Sequence, residues 1–368
     1  MGSSVKQKLV ISAINLTEGG PLTVLNDCVA AAIELLEEHW EVVVLVNDRA
    51  LIKMPGATII EFPHSKHYWL LRLYYEWWHF RSLSKKLKPD LWLSLHDITP
   101  WVQARRQAVY CHNPAPFYQM TIREVWLEPK FLLFNLFYRY LYRVGIHRNR
   151  YVIVQQAWLR KEFMHLFDVR NVVVAYPVGS SNQALPQIPR EPQNPFIFIY
   201  PAIPRFFKNI ESVCKAAQLL GGTDVPGFEM RLTIDGSENH YAADLVKQYA
   251  NVPGICFIGK QPYDSMALQY AECDCLLFPS RLETWGLPIS EAKALGKPML
   301  VADLPYAHET VGNYDRICFF DPKDPIELSD KMDQLLRGKL QFDGSSSPDP
   351  SAPFARNWRE LLLLLVKE

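Results

Sequence analysis

Two glutamates, Glu283 and Glu291, are separated by seven residues in a stretch whose residue types could hold a ligand. An apolar run at 275–278 precedes the first glutamate, and a Gly-Leu-Pro turn at 286–288 lies between the two. Pro288 suits the first position of a helix, because its missing N–H is not needed there and its φ is already helical. The pattern therefore predicts a helix that begins at Pro288, with Glu283 in the loop before it and Glu291 in its first turn.

The backbone of this turn could bind an anion. The N–H groups of Gly286 and Leu287 have no partner inside the following helix, and a helix N-terminus attracts negative charge. Ionised carboxylates only accept hydrogen bonds, so Glu283 and Glu291 suit the hydroxyl groups of sugars. A phosphate on the amides, with ribose on one side and a hexose on the other, describes a nucleotide sugar. By itself, Glu291 would also serve as an ordinary partner of the helix dipole.

Two cations follow another apolar run, at 196–200. Arg205 and Lys208 stand in the loop after this run and before the next helix. Arginine binds phosphate oxygens through paired hydrogen bonds and lysine acts as a point charge, so the pair could neutralise a diphosphate leaving group. The alternative is that both side chains are solvated loop charges.

Further candidates follow strands in the first half of the chain. Gly19 and Gly20 precede a helix and would let a ligand approach the backbone closely, although a glycine pair is also common in simple turns. His112 follows a strand and could position or hydrogen-bond a sugar, although a lone histidine is often structural. His96 and Asp97 follow a neighbouring strand, and the sequence assigns them no definite role.

Composition narrows the class of protein. The 368 residues are enough for about two domains. Lys plus Arg and Asp plus Glu both number 39, and this balance argues against nucleic acid as a partner. Seven cysteines at irregular spacing do not form a disulfide framework, and we interpret Cys273 and Cys275 as packing residues. We find no signal peptide and no apolar run of the ~18 residues that a membrane span requires, so we expect a cytoplasmic protein.

The apolar runs predict two α/β domains, because continuous apolar runs are typical of parallel strands buried on both faces. Strands are predicted at 9–14, 42–46, 58–62, 91–95, 108–111, 151–155, 172–175, 196–200, 230–234, 255–258, 275–278, 299–302 and 317–320. Two doubly wound, Rossmann-like domains follow, at 1–176 and 177–350, joined by a Pro-rich linker at 177–195. A last helix lies in residues 351–368. Ligands of such sheets bind at the carboxyl ends of strands, which predicts a cleft between the domains.

The stretch 280–296, S-R-L-E-T-W-G-L-P-I-S-E-A-K-A-L-G, resembles the donor site of retaining GT-B glycosyltransferases of the family-4 type (glycosyl transferases group 1). Thr284 and Trp285 replace the Gly and Phe that are common in that family. The resemblance implies a metal-independent enzyme that needs no cofactor and transfers a hexose or deoxyhexose from a nucleoside diphosphate sugar. It also implies that the last helix packs back on the N-terminal, acceptor-binding domain, and that a glycan or lipid-linked oligosaccharide of a bacterial surface polysaccharide is the acceptor.

The resemblance also implies roles for single residues. His112, Glu283, Arg205 and Lys208 would be catalytic, and the remaining residues of the site would bind the donor. The donor-binding set is Gly19, Gly20, Arg205, Lys208, Gly236, Gly259, Glu283, Thr284, Trp285, Gly286, Leu287 and Glu291. No metal ligands are expected. GDP-mannose is one candidate donor, and UDP- and dTDP-sugars also fit.

Two aromatic segments, 68–80 and 126–144, stand apart from these motifs. Aromatic and basic residues together favour a membrane surface, which predicts a peripheral position at the inner face of the membrane. Ordinary helix packing and a dimer interface are the alternatives. Two other classes of function also stay open. One is a sugar-nucleotide epimerase or hydrolase, and the other is a non-catalytic scaffold that binds nucleotide sugars.

Overall fold

A computed structural model describes residues 6–36, 38–52, 54–65, 68–178, 195–222 and 227–367. The chain divides into two compact units, residues 1–182 with 350–368 (unit 1) and residues 183–349 (unit 2). The sequence places the corresponding boundaries at 176/177 and 350/351. Most of the predicted linker, residues 179–194, lies outside the described residues.

Every strand that the sequence predicts is present, within two residues at either end, and one further short strand precedes the last helix. The strands are β1 (Gln7–Ala13), β2 (Trp40–Val46), β3 (Thr58–Glu61), β4 (Leu91–Ser94), β5 (Arg106–Cys111), β6 (Tyr151–Val154), β7 (Val172–Ala175), β8 (Phe196–Tyr200), β9 (Phe228–Leu232), β10 (Ile255–Phe257), β11 (Cys275–Phe278), β12 (Met299–Ala302), β13 (Ile317–Phe320) and β14 (Phe354–Ala355). Unit 1 holds an eight-stranded sheet in the order β14-β7-β6-β5-β4-β1-β2-β3, and unit 2 a six-stranded sheet in the order β10-β9-β8-β11-β12-β13.

The helices lie between the strands. They are α1 (Gly19–Leu36), α2 (Trp69–Tyr74), α3 (Phe80–Leu87), α4 (Ile122–Leu127), α5 (Pro129–Arg143), α6 (Ala157–Phe167), α7 (Ile210–Leu220), α8 (His240–Tyr249), α9 (Tyr263–Glu272), α10 (Leu287–Ala294), α11 (Pro305–Val311), α12 (Pro325–Leu336) and α13 (Trp358–Val366). A π-helical turn, Tyr75–His79, joins α2 to α3. Short 3₁₀ turns occur at Arg49–Leu51, Ala115–Phe117, Ile146–Arg148 and Phe206–Lys208.

All the strand pairs within both sheets are parallel, and apolar cores lie on both faces of the unit 1 sheet, whose edge strand β3 is only partly buried. Along β1, Leu9 and Ile11 face a core formed with α1 and α13, whereas Val10 faces a second core formed with α3. This alternation follows from the two-residue period of a strand. In unit 2, Cys273 and Cys275 are buried, as expected for packing residues.

Among the described residues, α1 is the one helix long and apolar enough to cross a membrane by length and composition. The sequence predicts no apolar run of this length. In the fold, the apolar side of α1 packs on the sheet and against α13, where Trp358, Leu361 and Leu365 are buried. A helix that packs in a core passes the same test of length and composition, so the finding is weak support for a membrane span.

The strand order locates the ligand-binding edge of each unit. In both sheets the order reverses beside the first strand, between β1 and β4 in unit 1 and between β8 and β11 in unit 2. Open sheets of this kind bind ligands at the carboxyl ends of the strands that flank the reversal. The loops after these four strands, together with the first residues of the helices that follow them, contain most of the residues predicted for the site.

Candidate active site

The loop after β8 is held in one position by side-chain hydrogen bonds. Asn209 has a left-handed backbone, with φ of 58°. Its side-chain amide donates to the carbonyl oxygens of Pro279, at 3.2 Å, and Pro322, at 2.7 Å. The Tyr200 hydroxyl donates to the carbonyl oxygen of Lys208 at 2.7 Å. These contacts join the loop after β8 to the chain that follows β11 and β13, and so fix where the Lys208 side chain begins.

Lys208 and Glu283 form an ion pair across the strand-order reversal of unit 2. The Lys208 Nζ lies 2.5 Å from Glu283 Oε1, and the two side chains are 20% and 13% exposed. The loop of Glu283 is tied to that of Lys208 by a backbone hydrogen bond of 2.7 Å, which Arg281 donates to the carbonyl oxygen of Phe207. The structure therefore brings together two of the four predicted catalytic residues, although neither is close to the other in sequence.

Arg205 occupies the same loop and is exposed. Within the part of the chain that the structure describes, its guanidinium has no hydrogen-bond or ion-pair partner. Lys208 is neutralised by Glu283, whereas Arg205 keeps an uncompensated positive charge at the strand edge. An anionic ligand would therefore meet Arg205 as its first free cation in this loop.

The turn before α10 presents backbone amides, as predicted. Gly286 has φ of 83°, and a Cβ on it would lie 3.2 Å from a ring carbon of Phe278. Within the described residues, the N–H groups of Gly286 and Leu287 have no acceptor. At its other end α10 closes with hydrogen bonds from Gly296 to Lys293 and from Lys297 to Ala292, both 3.0 Å. The helix therefore holds two free amides at its N-terminus, beside the loop of Glu283.

The predicted start of this helix is wrong by one residue. α10 begins at Leu287, so Pro288 is its second residue and Glu291 its fifth. Glu291 is thus in the second turn, where it no longer serves the helix dipole. It shares a hydrogen bond with the hydroxyl of Tyr270 on α9. Burial raises the pKa of Glu291, and the hydrogen bond from Tyr270 opposes that shift.

Two predicted donor-binding residues next to Glu283 differ in what they can offer a ligand. The side chain of Trp285 is buried, and its indole N–H donates to the Ser290 hydroxyl at 2.9 Å. The carbonyl oxygen of Trp285 accepts a hydrogen bond from the Thr310 hydroxyl. Thr284 is partly exposed. The replacement of Phe by Trp at 285 therefore serves packing, and Thr284 is the more accessible side chain of the two.

Gly236 and Gly259 follow β9 and β10 and both have left-handed backbones, with φ of 94° and 68°. A Cβ on Gly259 would lie 3.1 Å from a carboxylate oxygen of Asp235, so the two loops contact each other. The Glu238 carboxylate accepts hydrogen bonds from the N–H groups of Asp235, at 3.1 Å, and Gly236, at 3.0 Å. Gly236 can bind a ligand through its amide only if Glu238 moves away.

In unit 1, the loop after β1 leads directly into α1. Gly19 and Gly20 are the first two residues of this helix, and the predicted loop position is wrong. Gly19 has φ of 62°, which favours glycine, and an added Cβ would meet no atom of the described residues within 4 Å. The space above Gly19 is therefore open, as a site for a close-approaching ligand requires.

His112 lines a cavity of about 330 Å³ at the strand-order reversal of unit 1. The cavity is formed by Asn15, Leu16, Thr17, Glu18, Pro21, Asp97, His112, Asn113, Pro114 and Tyr138. The His112 Nδ1 is buried and has no hydrogen-bond partner among the described residues, and Nε2 lies 3.7 Å from Asp97 Oδ2. His96 is fully buried behind the cavity, 3.1 Å from the Ser12 hydroxyl, and does not line it.

Sequence reasoning missed the charged residues behind this cavity. Arg72 and Glu76 are buried and project from α2 and the π-helical turn toward His96. The Arg72 guanidinium donates to the carbonyl oxygen of His96 at 2.7 Å, and Glu76 Oε1 lies 3.1 Å from His96 Nε2. The sequence does hold a signal for this pair. Arg72 and Glu76 are four residues apart in an aromatic segment, and on a helix that spacing puts both side chains on one face.

Comparison with known proteins relates this geometry to a family. Residues 181–345 match the family described as glycosyl transferases group 1. The chain is 22% identical over 244 residues to the O-antigen chain mannosyltransferase RfbU of Salmonella typhimurium, a match that covers 66% of this chain and 64% of that protein. It is 25% identical over 199 residues to the O-antigen chain mannosyltransferase B of Escherichia coli, which covers 50% and 51%. The chain thus spans less than two thirds of the length of these curated relatives.

Solved structures show the same fold over most of the chain. A glycosyltransferase from Rickettsia africae superposes with a TM-score of 0.67 at 16% identity, covering 92% of this chain and 90% of that one. Anabaena HepE in complex with UDP superposes with a TM-score of 0.60 at 16% identity, covering 91% of each chain. The two parallel sheets give the chain the fold of these glycosyltransferases, the GT-B fold, and residues 181–345 are similar to the glycosyl transferases group 1 family.

Proposed function

We propose that this chain is a retaining glycosyltransferase that moves a hexose or deoxyhexose from a nucleoside diphosphate sugar to a glycan or lipid-linked oligosaccharide of a bacterial surface polysaccharide. The ion pair between Lys208 and Glu283 is the observation that carries this proposal. Glu283 lies three residues before Gly286, whose amide has no acceptor among the described residues. Groups that suit phosphate, the Lys208 ammonium and the backbone amides before α10, lie at the strand-order reversal of unit 2. The Glu283 carboxylate, which suits sugar hydroxyls, lies at the same place. Two mannosyltransferases among the relatives support mannose, so GDP-mannose is the first donor to test.

The ion pair leaves Lys208 able to bind a phosphate. An ammonium group has three hydrogens to donate, and Glu283 takes only one of them. When a donor arrives, Lys208 can keep its contact with Glu283 and donate to a diphosphate oxygen. Arg205 would supply the second cation and the Gly286 and Leu287 amides the remaining donors. Stabilising the departing charge with fixed donors is the work that a metal ion does in other transferases, so we propose a metal-independent reaction.

Glu283 would hold hydroxyl groups of the transferred sugar and help stabilise positive charge at its anomeric carbon. Glu291 would hold the ribose diol of the nucleotide. Retention is proposed on the resemblance to the family, with front-face attack and transfer of the acceptor proton to the leaving phosphate. In unit 1, His112 would position the sugar or the acceptor, and the glycines at the start of α1 would let the ligand approach the backbone.

A thermal-shift panel of UDP, GDP, dTDP and their sugars, with and without EDTA, tests the donor site. A ligand at ~100 times its dissociation constant should add about 2.7 kcal/mol to the free energy of unfolding. We expect one nucleotide to raise the melting temperature, and EDTA to leave that rise unchanged. No shift with any nucleotide would contradict the donor site, and loss of the shift in EDTA would contradict metal independence.

Turnover by two variants tests the catalytic assignment. Lys208→Ala and Glu283→Ala should each lower kcat by roughly 10²–10³, the usual cost of removing one preorganised group. Lys215→Ala is the matched control, because Lys215 is an exposed lysine on α7 in the same unit. Rates near those of the parent for both variants would refute the assignment. Donor consumed without acceptor would indicate a hydrolase or epimerase, and donor bound without turnover would indicate a scaffold.

We also propose that unit 1 rests on the inner face of the membrane. The outer sides of α2, the π-helical turn, α4 and α5 carry exposed aromatic and aliphatic side chains, namely Tyr68, Trp69, Leu70, Tyr74, Trp78, Ile122, Trp126, Leu133, Leu136, Phe137 and Tyr140. The rings of Trp69 and Phe137 pack edge to face, 5.9 Å apart, and join the helices into one surface. Lys130, Arg139 and Arg143 are exposed on the same helix as Phe137, where they could meet anionic lipids.

Co-sedimentation with vesicles tests this position. The protein should sediment with vesicles that contain anionic lipid, and Trp126→Ser with Leu133→Ser should reduce the bound fraction. Leu268→Ser, an exposed leucine of unit 2, is the control. Failure of the parent to bind anionic vesicles would contradict the proposal. A monomer–dimer shift in the double variant would indicate a dimer interface instead.

A further inference from the structure

Asp97 lies where β4 ends, next to β1, at the strand-order reversal of unit 1. Its backbone is left-handed, with φ of 70°, and the residue is 4% exposed. A left-handed backbone is costly for most residues, and aspartate and asparagine tolerate it best. This conformation turns the carboxylate toward the end of β5, where His112 begins the loop that lines the cavity.

The Asp97 carboxylate accepts four hydrogen bonds. Its Oδ1 accepts from the N–H groups of His112, at 2.7 Å, and Asn113, at 3.2 Å, and from the Tyr142 hydroxyl at 2.9 Å. Its Oδ2 accepts from the Tyr138 hydroxyl at 3.1 Å. Three of these donors surround Oδ1 and one meets Oδ2, so the carboxylate is held in one orientation.

The donors come from two different elements, the end of β5 and helix α5. Burial raises the pKa of the Tyr138 and Tyr142 hydroxyls, and the nearby Asp97 charge adds to the shift, so both remain donors at neutral pH. The Tyr142 hydroxyl also contacts the carbonyl oxygen of Asn113 at 3.0 Å. Asp97 therefore links helix α5 to the backbone of His112.

The His112 ring itself stands beside the carboxylate. Its Nε2 lies 3.7 Å from Asp97 Oδ2, too far for a hydrogen bond but near enough for the charge to act. The imidazole is 17% exposed and lines the cavity. A negative charge beside Nε2 favours the form of the ring that carries its hydrogen on that nitrogen.

We propose that Asp97 is a positioning residue that fixes the orientation and tautomer of His112 for the ligand in the unit 1 cavity. This inference rests on the proposed function, in which His112 contacts the sugar or the acceptor. Asp97 acts on His112 in two ways, by anchoring the 112–113 backbone and by placing a charge beside Nε2. If Asp97 only supported the fold, its hydrogen bonds to the 112–113 backbone would be sufficient, and its charge beside Nε2 would have no effect on His112.

Asp97→Asn separates the two effects. Asparagine has the same shape, tolerates the left-handed backbone and keeps one oxygen for the amides of His112 and Asn113, but it carries no charge. We expect kcat to fall by about tenfold or more, as when a buried aspartate beside a working histidine is neutralised, while the nucleotide-induced thermal shift stays within twofold of the parent. Asp168→Asn is the control, because Asp168 also has a left-handed backbone, with φ of 51°, but is exposed and does not line the cavity.

Two further measurements distinguish positioning from support of the fold. Long-range ¹H–¹⁵N spectra, assigned with His112→Gln, should show one ring tautomer in the parent and a mixture in Asp97→Asn. Asp97→Asn added to His112→Gln should lower kcat no further, because residues that act together are not additive. Parent-like kcat and tautomer in Asp97→Asn would overturn the proposal, and so would a loss of kcat with an unchanged tautomer. If the parent transfers no sugar at all, the proposed function fails and the spectra still decide the role of Asp97.

Discussion

Glu76 should make the stability of unit 1 fall as the pH rises. The residue lies in the π-helical turn and is fully buried, with its Oε1 3.1 Å from His96 Nε2. Burial raises its pKa from an ordinary 4.5 to about 8, and the Arg72 guanidinium opposes only part of that shift. The folded protein therefore keeps a proton on Glu76 that the unfolded chain loses above pH 4.5.

The size and sign of this effect follow from proton linkage. A pKa raised from 4.5 to about 8 corresponds to about 5 kcal/mol, fully present below pH 4.5 and lost as the pH rises to about 8. His96 acts in the opposite direction, because burial lowers its pKa well below 6.5, so its contribution is lost as the pH falls below that value. Between pH 6.5 and 8 the contribution of His96 is complete, and the contribution of Glu76 to the free energy of unfolding should fall by about 2 kcal/mol.

Urea unfolding at pH 6.5, 7.0, 7.5 and 8.0 measures this slope. In Glu76→Gln the neutral amide cannot ionise, so the contribution of Glu76 to the slope should vanish. Glu38→Gln, at an exposed position of unit 1, should keep the parent slope. An unchanged slope in Glu76→Gln, or a parent whose stability rises from pH 6.5 to 8, would refute the reasoning.

Three further substitutions have expected costs. Gly286→Ala should lower the free energy of unfolding by about 1–2 kcal/mol or more, because Gly286 has a positive φ and the added Cβ would contact Phe278. Gly338→Ala should cost less, because its Cβ would meet no atom of the described residues within 4 Å. Asn209→Ala should lower the free energy of unfolding by about 1–3 kcal/mol, because it leaves the carbonyl oxygens of Pro279 and Pro322 unpaired. It should also lower kcat. Trp358→Ala should cost about 3–5 kcal/mol as a buried aromatic. Chemical unfolding measures all three, and equal effects of both glycine variants would contradict the packing argument.

The sheets were predictable from sequence because their central strands are buried on both faces and form continuous apolar runs. The run at 172–175, Val-Val-Val-Ala, is one strand with no polar residue. β14 was missed because it has only two residues, Phe354 and Ala355, and pairs with β7, far away in sequence. No local pattern marks such a strand.

The candidate site was predictable where chemistry and strand ends coincide, as for Lys208 and Glu283. It was not predictable where tertiary contacts decide the role of a residue. The position of Glu291 in α10 depends on Leu287 adopting a helical backbone, and proline alone does not set that start. The role of Asp97 depends on hydroxyl groups that come from α5, forty-one and forty-five residues further along the chain. Such a convergence has no signature in the local sequence.

The order of synthesis gives the last helix a particular consequence. Unit 1 completes its core with α13, but the ribosome makes all of unit 2 between β7 and α13. At about 5–20 residues per second, those roughly 180 residues take roughly 10 to 40 seconds. Throughout that time the part of α1 that packs against α13 lacks its partner, while unit 2 can already fold. The unfinished chain therefore exposes apolar surface on α1 that the complete protein buries.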